Sequence, residues 1–589
     1  MRTNRKMEEK KMSMSKNIAR LAVTAGLTAA LSFGGVMAPV TMAFADGAAG
    51  STVTFNDPTY QETTTYKGIQ IFTANVSDST ASNIQWAGAT ETQKNNIQAA
   101  VVKAINSWSA DNGKGTYESK DAQDAAEWLC ANANVDGDNS RVASDSVLNE
   151  IAKNLSAAGF IWKTTAQGKN TLDGLDAGYW LFLTASVNNP DEGSAVSQST
   201  DVFTSPIFKL VDGANPVEIA PKKKIPTVEK KILNDRDEKK QGGYTAQNGW
   251  SDVADSQVGQ LVSYKLIGTI ADNYATYDTY TYKFTDTLSQ GLTYADGSLE
   301  VYALNGQSYT KINPQSYTAV EPAGGNGVLT VNFDKENGLK SATAANAGEE
   351  LNIGAETKIV VFYKAKLNSK ASYAVAGNDN KVYLEYSNNP MVAGTGKSVT
   401  KVVTDHVFRL DVTKVDSEDS NKKLKAGFKV KVMDGEGSED ADSQGKWLAQ
   451  DGTLVEEDKA YEFTTDETSG QIYIPGLDAG KYQITETTTP KGYNTIAPVI
   501  ITVTPDYDND GNLTGLNVSD NSGMVDTNNV TNATDATIPV TIRNKKGSNL
   551  PLTGLNGVTF TWIAGGAVLC IGVAHLIRSR KQAEESEQE

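Results

Sequence analysis

The chain has 589 residues, a formal net charge of −17, two cysteines and two histidines. This acidic balance disfavours nucleic acid as a partner, because nucleic acid is attracted by basic surfaces. His406 and His575 lie outside any pattern of serine, cysteine or aspartate that would form a nucleophile–base pair. The sequence also lacks a phosphate-binding glycine loop and zinc-ligand spacing. It therefore favours a non-enzymatic protein that needs no cofactor.

The N-terminal segment has the pattern of a secretory signal. Seven basic residues precede an apolar stretch of small residues, from about Leu21 to Val40, which ends in Ala43-Phe44-Ala45. A charged start, an apolar middle and small residues at the end are typical of a cleaved signal peptide. We expect cleavage after Ala45, so that residues 1–45 are removed. The alternative, an N-terminal membrane anchor, is disfavoured by the A-x-A pattern.

The C-terminal segment combines a short motif, an apolar stretch and a basic tail. The motif is Leu550-Pro551-Leu552-Thr553-Gly554, the stretch covers 558–577, and the tail covers 578–589. The stretch is long enough to span a bilayer, with the basic cluster on the cytoplasmic side. In this order the three parts resemble a cell-wall sorting signal. The resemblance implies that a sortase thiol attacks the Thr553 carbonyl, releases Gly554 onward, and leaves the protein joined to its acceptor.

The cysteines cannot form a disulfide within the mature chain, because Cys570 lies in the segment to be released. Cys130 lies in a helical pattern, and we interpret it as a small buried apolar side chain, with a reactive thiol as the alternative. Exported proteins commonly use disulfides. Some other feature must therefore stabilise these domains.

Residues 46–220 are predicted to form an α+β domain. Strand patterns occur at 52–55, 67–74, 179–185 and 203–210, and helical patterns at 91–108, 121–130 and 144–158. For the third helix we expect Ser144 or Asp145 as the cap and Gly159 as the stop. The sequence GLDAG at 174–178 recurs at 476–480, each time before a strand pattern. It predicts a related turn-to-strand element in two domains.

Residues 221–405 and 406–547 are predicted to form two Ig-like sandwiches. Short alternating segments are separated by Gly, Asn and Asp clusters throughout both ranges. A linker containing Pro216, Pro221 and Pro226 separates the first two domains. The predicted fold class is therefore mainly β, with tandem Ig-like sandwiches behind an α+β N-terminal domain.

Three polar residues end apolar alternations in the C-terminal domain: Lys414, Glu486 and Asn544. Period two places each on the same face as its apolar neighbours, so all three should be buried. A buried ion pair with a bystander Asn is one interpretation. The other is an intramolecular isopeptide bond. Burial lowers the pKa of the lysine and raises that of the glutamate, so a neutral amine attacks the carboxamide while the acid relays protons as ammonia leaves.

Four sequence motifs in this domain support the second interpretation. They are Lys414-Val415-Asp416, Tyr482-Gln483-Ile484-Thr485-Glu486, Pro490-Lys491-Gly492-Tyr493, and Asn544 just before the sorting motif. Together they resemble the Cna-B-type domains of Gram-positive surface proteins. The resemblance implies a Lys414–Asn544 bond with Glu486 as the acid.

The middle domain repeats this arrangement with Lys230, Asp286 and Asn380. The segments 284–292 and 377–390 resemble the isopeptide-forming middle domain of backbone pilins. The resemblance implies a Lys230–Asn380 bond with Asp286 as the acid. Lys231 stays open if a bulge shifts the register, and Asn378 has the same parity as Asn380.

The first domain departs from this pattern. Alignment of the two GLDAG segments places Thr184 where the C-terminal domain has Glu486, so by that route we expect no bond there. The linker sequence Glu218-Ile219-Ala220-Pro221-Lys222 resembles the pilin motif in which a lysine after proline is the polymerisation nucleophile. Ile219-Ala220 replaces the usual Val-Tyr. Lys223 and Lys224 are adjacent alternatives, as is a merely solvated basic linker.

Asp506, Asp508, Asp510 and Gly511 are similar to the start of a calcium loop, but Asn517 occupies the twelfth position instead of Glu. We therefore favour a polar hairpin turn without a metal.

These features together resemble a sortase-assembled backbone pilin of Gram-positive bacteria. The resemblance implies an extracellular pilus that supports adhesion, with subunits joined from Thr553 to Lys222 by a pilin-type sortase. A housekeeping sortase would attach the polymer to peptidoglycan, and the precursor would pass through the membrane. Minor pilins and host surface ligands are further implied partners. A monomeric wall-anchored adhesin, a minor pilin subunit and a wall enzyme remain the alternatives.

Overall fold

The computed structural model of the chain describes residues 50–57, 64–77, 80–133, 142–157, 159–187, 198–221, 223–234, 243–246, 248–322, 327–433, 445–522, 525–527, 530–531 and 533–547. The predicted signal peptide, sorting motif, membrane stretch and tail lie outside these ranges, as does Lys222. Within them, no helix is long and apolar enough to cross a membrane.

The first region, residues 50–219, combines three helices with two sheets. Its elements are β1 (Ser51–Phe55), β2 (Thr65–Ser77), β3 (Thr80–Trp86), α1 (Glu91–Asp111), α2 (Ala122–Asn132), α3 (Val147–Ser156), β4 (Lys163–Thr164), β5 (Thr171–Leu175), β6 (Gly178–Ser186), β7 (Ile207–Val211) and β8 (Val217–Ile219). A five-stranded sheet has the order β3-β2-β6-β7, with β4 paired to β2, and packs against the helices. A three-stranded sheet has the order β5-β1-β8, in which β1 and β8 are parallel.

The helices begin where short polar side chains replace missing backbone partners. Thr90 and Gln93 form a capping box at α1, and Asp121 caps α2. Ser146 caps α3, so the predicted cap at Ser144 or Asp145 is wrong. Ser144 N instead donates to Ala275 O of the second region at 2.9 Å. Cys130 is half-buried and packs against the helical core.

The second region, residues 228–406, is a β-sandwich. Its strands are β9 (Val228–Leu233), β10 (Val253–Asp255), β11 (Leu261–Thr269), β12 (Tyr282–Leu288), β13 (Leu292–Tyr294), β14 (Glu300–Asn305), β15 (Ser308–Lys311), β16 (Thr318–Val320), β17 (Gly327–Phe333), β18 (Lys358–Leu367), β19 (Asn378–Ser387), β20 (Thr395–Lys397) and β21 (Lys401–His406). One sheet has the order β10-β21-β19-β12-β17-β16, with β20 paired to β19. The other has the order β15-β14-β18-β11-β9, with β13 paired to β18. One apolar core lies between them.

The third region, residues 408–547, is a second sandwich. Its strands are β22 (Phe408–Asp416), β23 (Gly427–Met433), β24 (Trp447–Leu448), β25 (Leu454–Val455), β26 (Phe463–Thr464), β27 (Gln471–Leu477), β28 (Gly480–Thr488), β29 (Val499–Tyr507), β30 (Leu513–Asp520), β31 (Val525–Thr527), β32 (Val530–Thr531) and β33 (Thr537–Asn544). One sheet has the order β27-β22-β33-β31, and the other β25-β24-β23-β28-β29-β30-β32, with β26 paired to β23. The prediction of a mainly β chain with an α+β first part is confirmed.

Contacts outside the sheets determine where two strands begin. The strand predicted from 203 begins at Ile207, because Phe203 N donates to Asn388 O of the second region at 2.7 Å. In the second region, β12 begins only at Tyr282, because Tyr274–Thr276 form a short 3-10 turn and Tyr280 N donates to Asn337 O. Just before each strand, the backbone N–H groups therefore donate to loop carbonyls and not to a neighbouring strand of the sheet.

Candidate functional site

The third region brings Lys414, Glu486 and Asn544 together in its interior. Lys414 lies on the first strand, β22, and Asn544 ends the last strand, β33. The two strands are adjacent and parallel, with Asp416 opposite Asn544. Glu486 comes from β28 in the facing sheet. The side chains of Lys414 and Glu486 are wholly buried, and so is Asn544.

Glu486 contacts both nitrogen atoms of this trio. Its Oε1 lies 3.2 Å from Lys414 Nζ and accepts a hydrogen bond from Asn544 Nδ2 at 2.9 Å. Lys414 Nζ donates to Asn544 Oδ1. Burial lowers the pKa of Lys414 to about 8, against the opposing effect of the Glu486 charge. The site therefore holds an amine of reduced basicity beside a carboxamide, with one carboxyl group touching both.

The second region builds a related cluster across its two sheets. Lys230 on β9 and Tyr363 on β18 face Asp286 on β12 and Asn380 on β19. Lys230 Nζ donates to Asp286 Oδ2 and, at 3.1 Å, to the hydroxyl of Tyr363. Asn380 reaches the pair through the same hydroxyl, to which its Nδ2 donates at 2.6 Å. Tyr363 is a site residue that the sequence interpretation missed.

Burial sets the ionisation of this second cluster. It lowers the pKa of Lys230 to about 8 and raises the pKa of Asp286, although the mutual attraction of the two charges opposes both shifts. The pair therefore lies closer to a neutral amine and a neutral acid than it would in water. This is the ionisation that nucleophilic attack by the amine requires.

The alternative residues of the second region serve other contacts. Lys231 is about one-third exposed and pairs with Asp252 at 2.7 Å. Asn378 binds backbone on both sides, accepting from Ser372 N at 2.7 Å and donating to Asp405 O at 3.1 Å. Lys230 thus reaches the buried cluster and Lys231 does not. Likewise Asn380 reaches it and Asn378 does not.

The glycines of the repeated GLDAG segments have similar backbone φ angles. Gly174 and Gly476 have φ of 65° and 83°, and Gly178 and Gly480 have φ of 146° and 145°. These left-handed values suit glycine at both ends of the turn. Thr184, which follows the first turn, is buried and accepts a hydrogen bond from Thr204 N. The predicted turn-to-strand similarity is present in the backbone.

The linker lysines adjoining Lys222 differ sharply in environment. The Lys223 side chain is only 3% exposed and contacts Asp57 at 2.6 Å and Asp201 at 2.5 Å. Lys224 is exposed, and its backbone N–H donates to Asp272. Of the two adjacent alternatives to Lys222, Lys224 is therefore solvated, whereas Lys223 is held in an ion cluster.

Asp506, Asp508 and Asp510 lie at the end of β29 and in the turn before β30. Asp508 Oδ1 accepts hydrogen bonds from the backbone of Asp510 and Asn512, each at 2.9 Å. These hydrogen bonds form a polar turn between β29 and β30. Among the described residues, no group of three or more His, Cys, Asp or Glu side chains is placed to hold a metal ion.

Comparison with known proteins identifies the class of the third region. Residues 408–521 match the family model described as SpaA, prealbumin-like fold domain. No curated protein matches the chain significantly.

Several solved structures of backbone pilins are similar to this chain. The T6 backbone pilin of serotype M6 Streptococcus pyogenes is 15% identical, with 86% of this chain and 100% of that chain covered and a TM-score of 0.43. The major pilin SpaD of Corynebacterium diphtheriae is 15% identical, with 85% and 98% covered and a TM-score of 0.40. The group B streptococcus pilus 2b backbone protein is 22% identical, with 51% and 97% covered and a TM-score of 0.36. Superpositions this loose carry no weight for individual site residues.

Proposed function

We propose that this protein is the structural backbone subunit of a covalently polymerised cell-surface pilus, with domains stabilised by internal Lys–Asn isopeptide bonds. The observation that carries the proposal is the buried contact of Glu486 with both the amine of Lys414 and the amide nitrogen of Asn544. A chain that must bear tension gains from a covalent tie between the first and last strands of a domain.

The chemistry of the third region follows from these contacts. Lys414 Nζ attacks Cγ of Asn544, forming the new C–N bond. Glu486 takes a proton from Nζ and delivers it to Nδ2, so that the Cγ–Nδ2 bond breaks and ammonia leaves. The three groups are held in place by the sandwich, and this enforced proximity supplies much of the acceleration. Glu486 ends in the state in which it began.

The second region would follow the same route, with Asp286 as the acid and Lys230 as the nucleophile toward Asn380. Lys230 contacts Asp286 directly, whereas Asn380 reaches this pair through the hydroxyl of Tyr363. The amide of Asn380 must therefore shift from the tyrosine toward the amine before attack. We expect this bond to form more slowly than the bond in the third region.

Polymerisation would use a different lysine and an enzyme. A pilin-type sortase would cleave after Thr553 and hold its carbonyl as a thioester, which Lys222 of another subunit then attacks. Such head-to-tail contacts do not close, so they form a filament. A housekeeping sortase would transfer the finished polymer to peptidoglycan. The burial of Lys223 supports Lys222 over its neighbour as the nucleophile.

The test is an immunoblot of cell-wall extracts from strains that carry single substitutions. Wild type should give a high-mass ladder, Lys222→Ala should give only monomer on the wall, and the control Lys224→Ala should retain the ladder. Tandem mass spectrometry should find Thr553 joined to Lys222. If Thr553 of the wild type is joined to wall peptide alone, the protein is a monomeric wall-anchored adhesin instead.

A further inference from the structure

A buried cluster of one amine and two carboxyl groups, which the proposed function does not use, joins the first region to the linker that follows it. Lys223 Nζ lies 2.6 Å from Asp57 Oδ2 and 2.5 Å from Asp201 Oδ2. Exposure of the side chains is 3% for Lys223, 9% for Asp57 and 0% for Asp201. Three formal charges thus meet where water is almost excluded. Such clusters are expensive to desolvate, and the lysine can neutralise only one of the two carboxylates.

The two aspartates accept hydrogen bonds from different donors, which suits them to different roles. Asp201 accepts hydrogen bonds from Thr64 Oγ1 at 2.6 Å and from Val202 N at 2.7 Å, so its charge is held by fixed donors. Asp57 accepts a hydrogen bond from the hydroxyl of Tyr66 at 2.7 Å and retains the small exposed edge of the cluster. Asp201 is therefore suited to remain a carboxylate, and Asp57 to react and lose water.

The cluster also lies at the position in the fold where a cross-link would tie first strand to last. Asp57 follows β1 by two residues, and Lys223 follows β8 by four. β1 and β8 are adjacent and parallel, with Phe55 opposite Ile219. The same parallel pairing of first and last strands joins β22 to β33 around Lys414 and Asn544.

We propose that Lys223 and Asp57 form an intramolecular isopeptide bond, with Asp201 as the proton carrier. A proton passes from the Lys223 ammonium to the Asp57 carboxylate, giving a neutral amine and a neutral acid. Nζ then attacks Cγ of Asp57, while Asp201 takes a proton from Nζ and delivers it to the departing hydroxyl. The new C–N bond replaces the C–O bond, one water leaves, and Asp201 is again a carboxylate.

The product relieves the electrostatic cost of the cluster. The lysine and one carboxylate become a neutral amide, and the remaining charge stays on Asp201 with its two hydrogen-bond donors. The bond also fixes the backbone next to Lys222 onto the first region. It does not depend on polymerisation, so it stands or falls separately from the pilus proposal.

The leaving group distinguishes this bond from the Lys–Asn bonds. A protease digest of the full chain, analysed by tandem mass spectrometry, should contain a branched peptide joining Lys223 to Asp57, one water lighter than the sum of its parts. The bonds to Asn380 and Asn544 would each lose ammonia instead. Finding Lys223 and Asp57 only in separate linear peptides overturns the proposal and leaves a permanent ion cluster.

Substitutions assign the roles without relying on stability. Asp57→Asn should still give the branched peptide, because the product is the same amide, but now with loss of ammonia. Asp201→Asn should abolish it, because the proton carrier is gone. Glu462→Asn is the control and should leave the branched peptide unchanged, because this carboxylate binds Thr487 and Thr488 of the third region. A branch from Lys223 to Asp201, or a branch that survives in Asp201→Asn, contradicts the assignment.

Discussion

Tyr363 donates its hydroxyl proton to Asp286 Oδ1 at 2.9 Å and so connects the acid of the second region to its neighbours. The same oxygen accepts hydrogen bonds from Lys230 and Asn380, which uses the full capacity of a hydroxyl group. Lys230, Asp286 and Asn380 therefore all contact the hydroxyl of Tyr363. Tyr363 is a positioning residue for the proposed Lys230–Asn380 bond.

Replacing Tyr363 by Phe should slow formation of this bond while the fold is retained. The ring keeps its packing, but Asp286 and Asn380 lose the group that holds them in a common orientation. The fraction of cross-linked chain, followed by intact mass after synthesis, should rise more slowly than in wild type. Tyr282→Phe is the matched control, since it removes another buried hydroxyl of the same region, which donates to Thr269 O. Equal time courses for the two variants would show that Tyr363 has no such role.

The two carboxyl groups should each be necessary for one ammonia loss. Glu486→Gln keeps the shape of the side chain but cannot carry the proton, so the Lys414–Asn544 peptide should appear uncross-linked. Asp286→Asn should have the same effect on Lys230 and Asn380 alone. Glu462→Gln is the control, because Glu462 binds exposed threonines of the third region. Linear peptides for both pairs in the wild-type protein would sink the isopeptide hypothesis.

The bond in the third region should add considerably to its stability. Lys414 and Asn544 are separated by 130 positions, and a cross-link that closes a loop of about 100 residues contributes roughly 4–5 kcal/mol on the disulfide model. Lys414→Met removes the nucleophile but keeps an apolar stem of similar length. We expect a lower melting temperature and faster tryptic cleavage of the third region. The exposed Lys425, changed to Met, is the control; similar melting of both variants would contradict the prediction.

Strand parity was sufficient to predict the buried trio of the third region. Lys414, Glu486 and Asn544 each continue an alternation whose other face is more exposed, so period two determines the direction of the side chain. Tyr363 could not be found in this way. It lies on β18, where five consecutive residues from Ile359 to Tyr363 are buried, and parity carries no information when both faces of a strand are covered.

The burial of Lys223 could not be predicted from the sequence, for a different reason. Its partners lie far away along the chain, with Asp201 22 positions before it and Asp57 close to the start of the first region. Nothing in a run of three lysines distinguishes one of them. Only the parallel pairing of β1 and β8 brings the linker and Asp57 together. Local pattern predicts which face a residue occupies, whereas topology determines which distant residues share that face.

His406 joins the second and third regions and should make their contact sensitive to pH. Its Nε2 lies 2.8 Å from Gly511 O, and its ring packs 4.9 Å from that of Tyr507. The neutral ring therefore donates through Nε2, while Nδ1 is buried without a hydrogen-bond partner. Protonation would place a charge on a buried ring whose Nδ1 has no hydrogen-bond acceptor.

Burial accordingly lowers the pKa of His406 below its ordinary value of 6.5, although the hydrogen bond to Gly511 and the charges of Asp255 and Asp379 oppose the shift. The folded contact thus binds protons more weakly than the opened one. Its stability should be complete above about pH 6.5 and should fall as the pH drops below that value.

We expect amide hydrogen exchange in the 508–513 turn to accelerate relative to its intrinsic rate as the pH is lowered from 7.5 to 5. His406→Gln retains a donor for Gly511 without a titrating group and should flatten this dependence. The same acceleration in both proteins would show that His406 is not the responsible group.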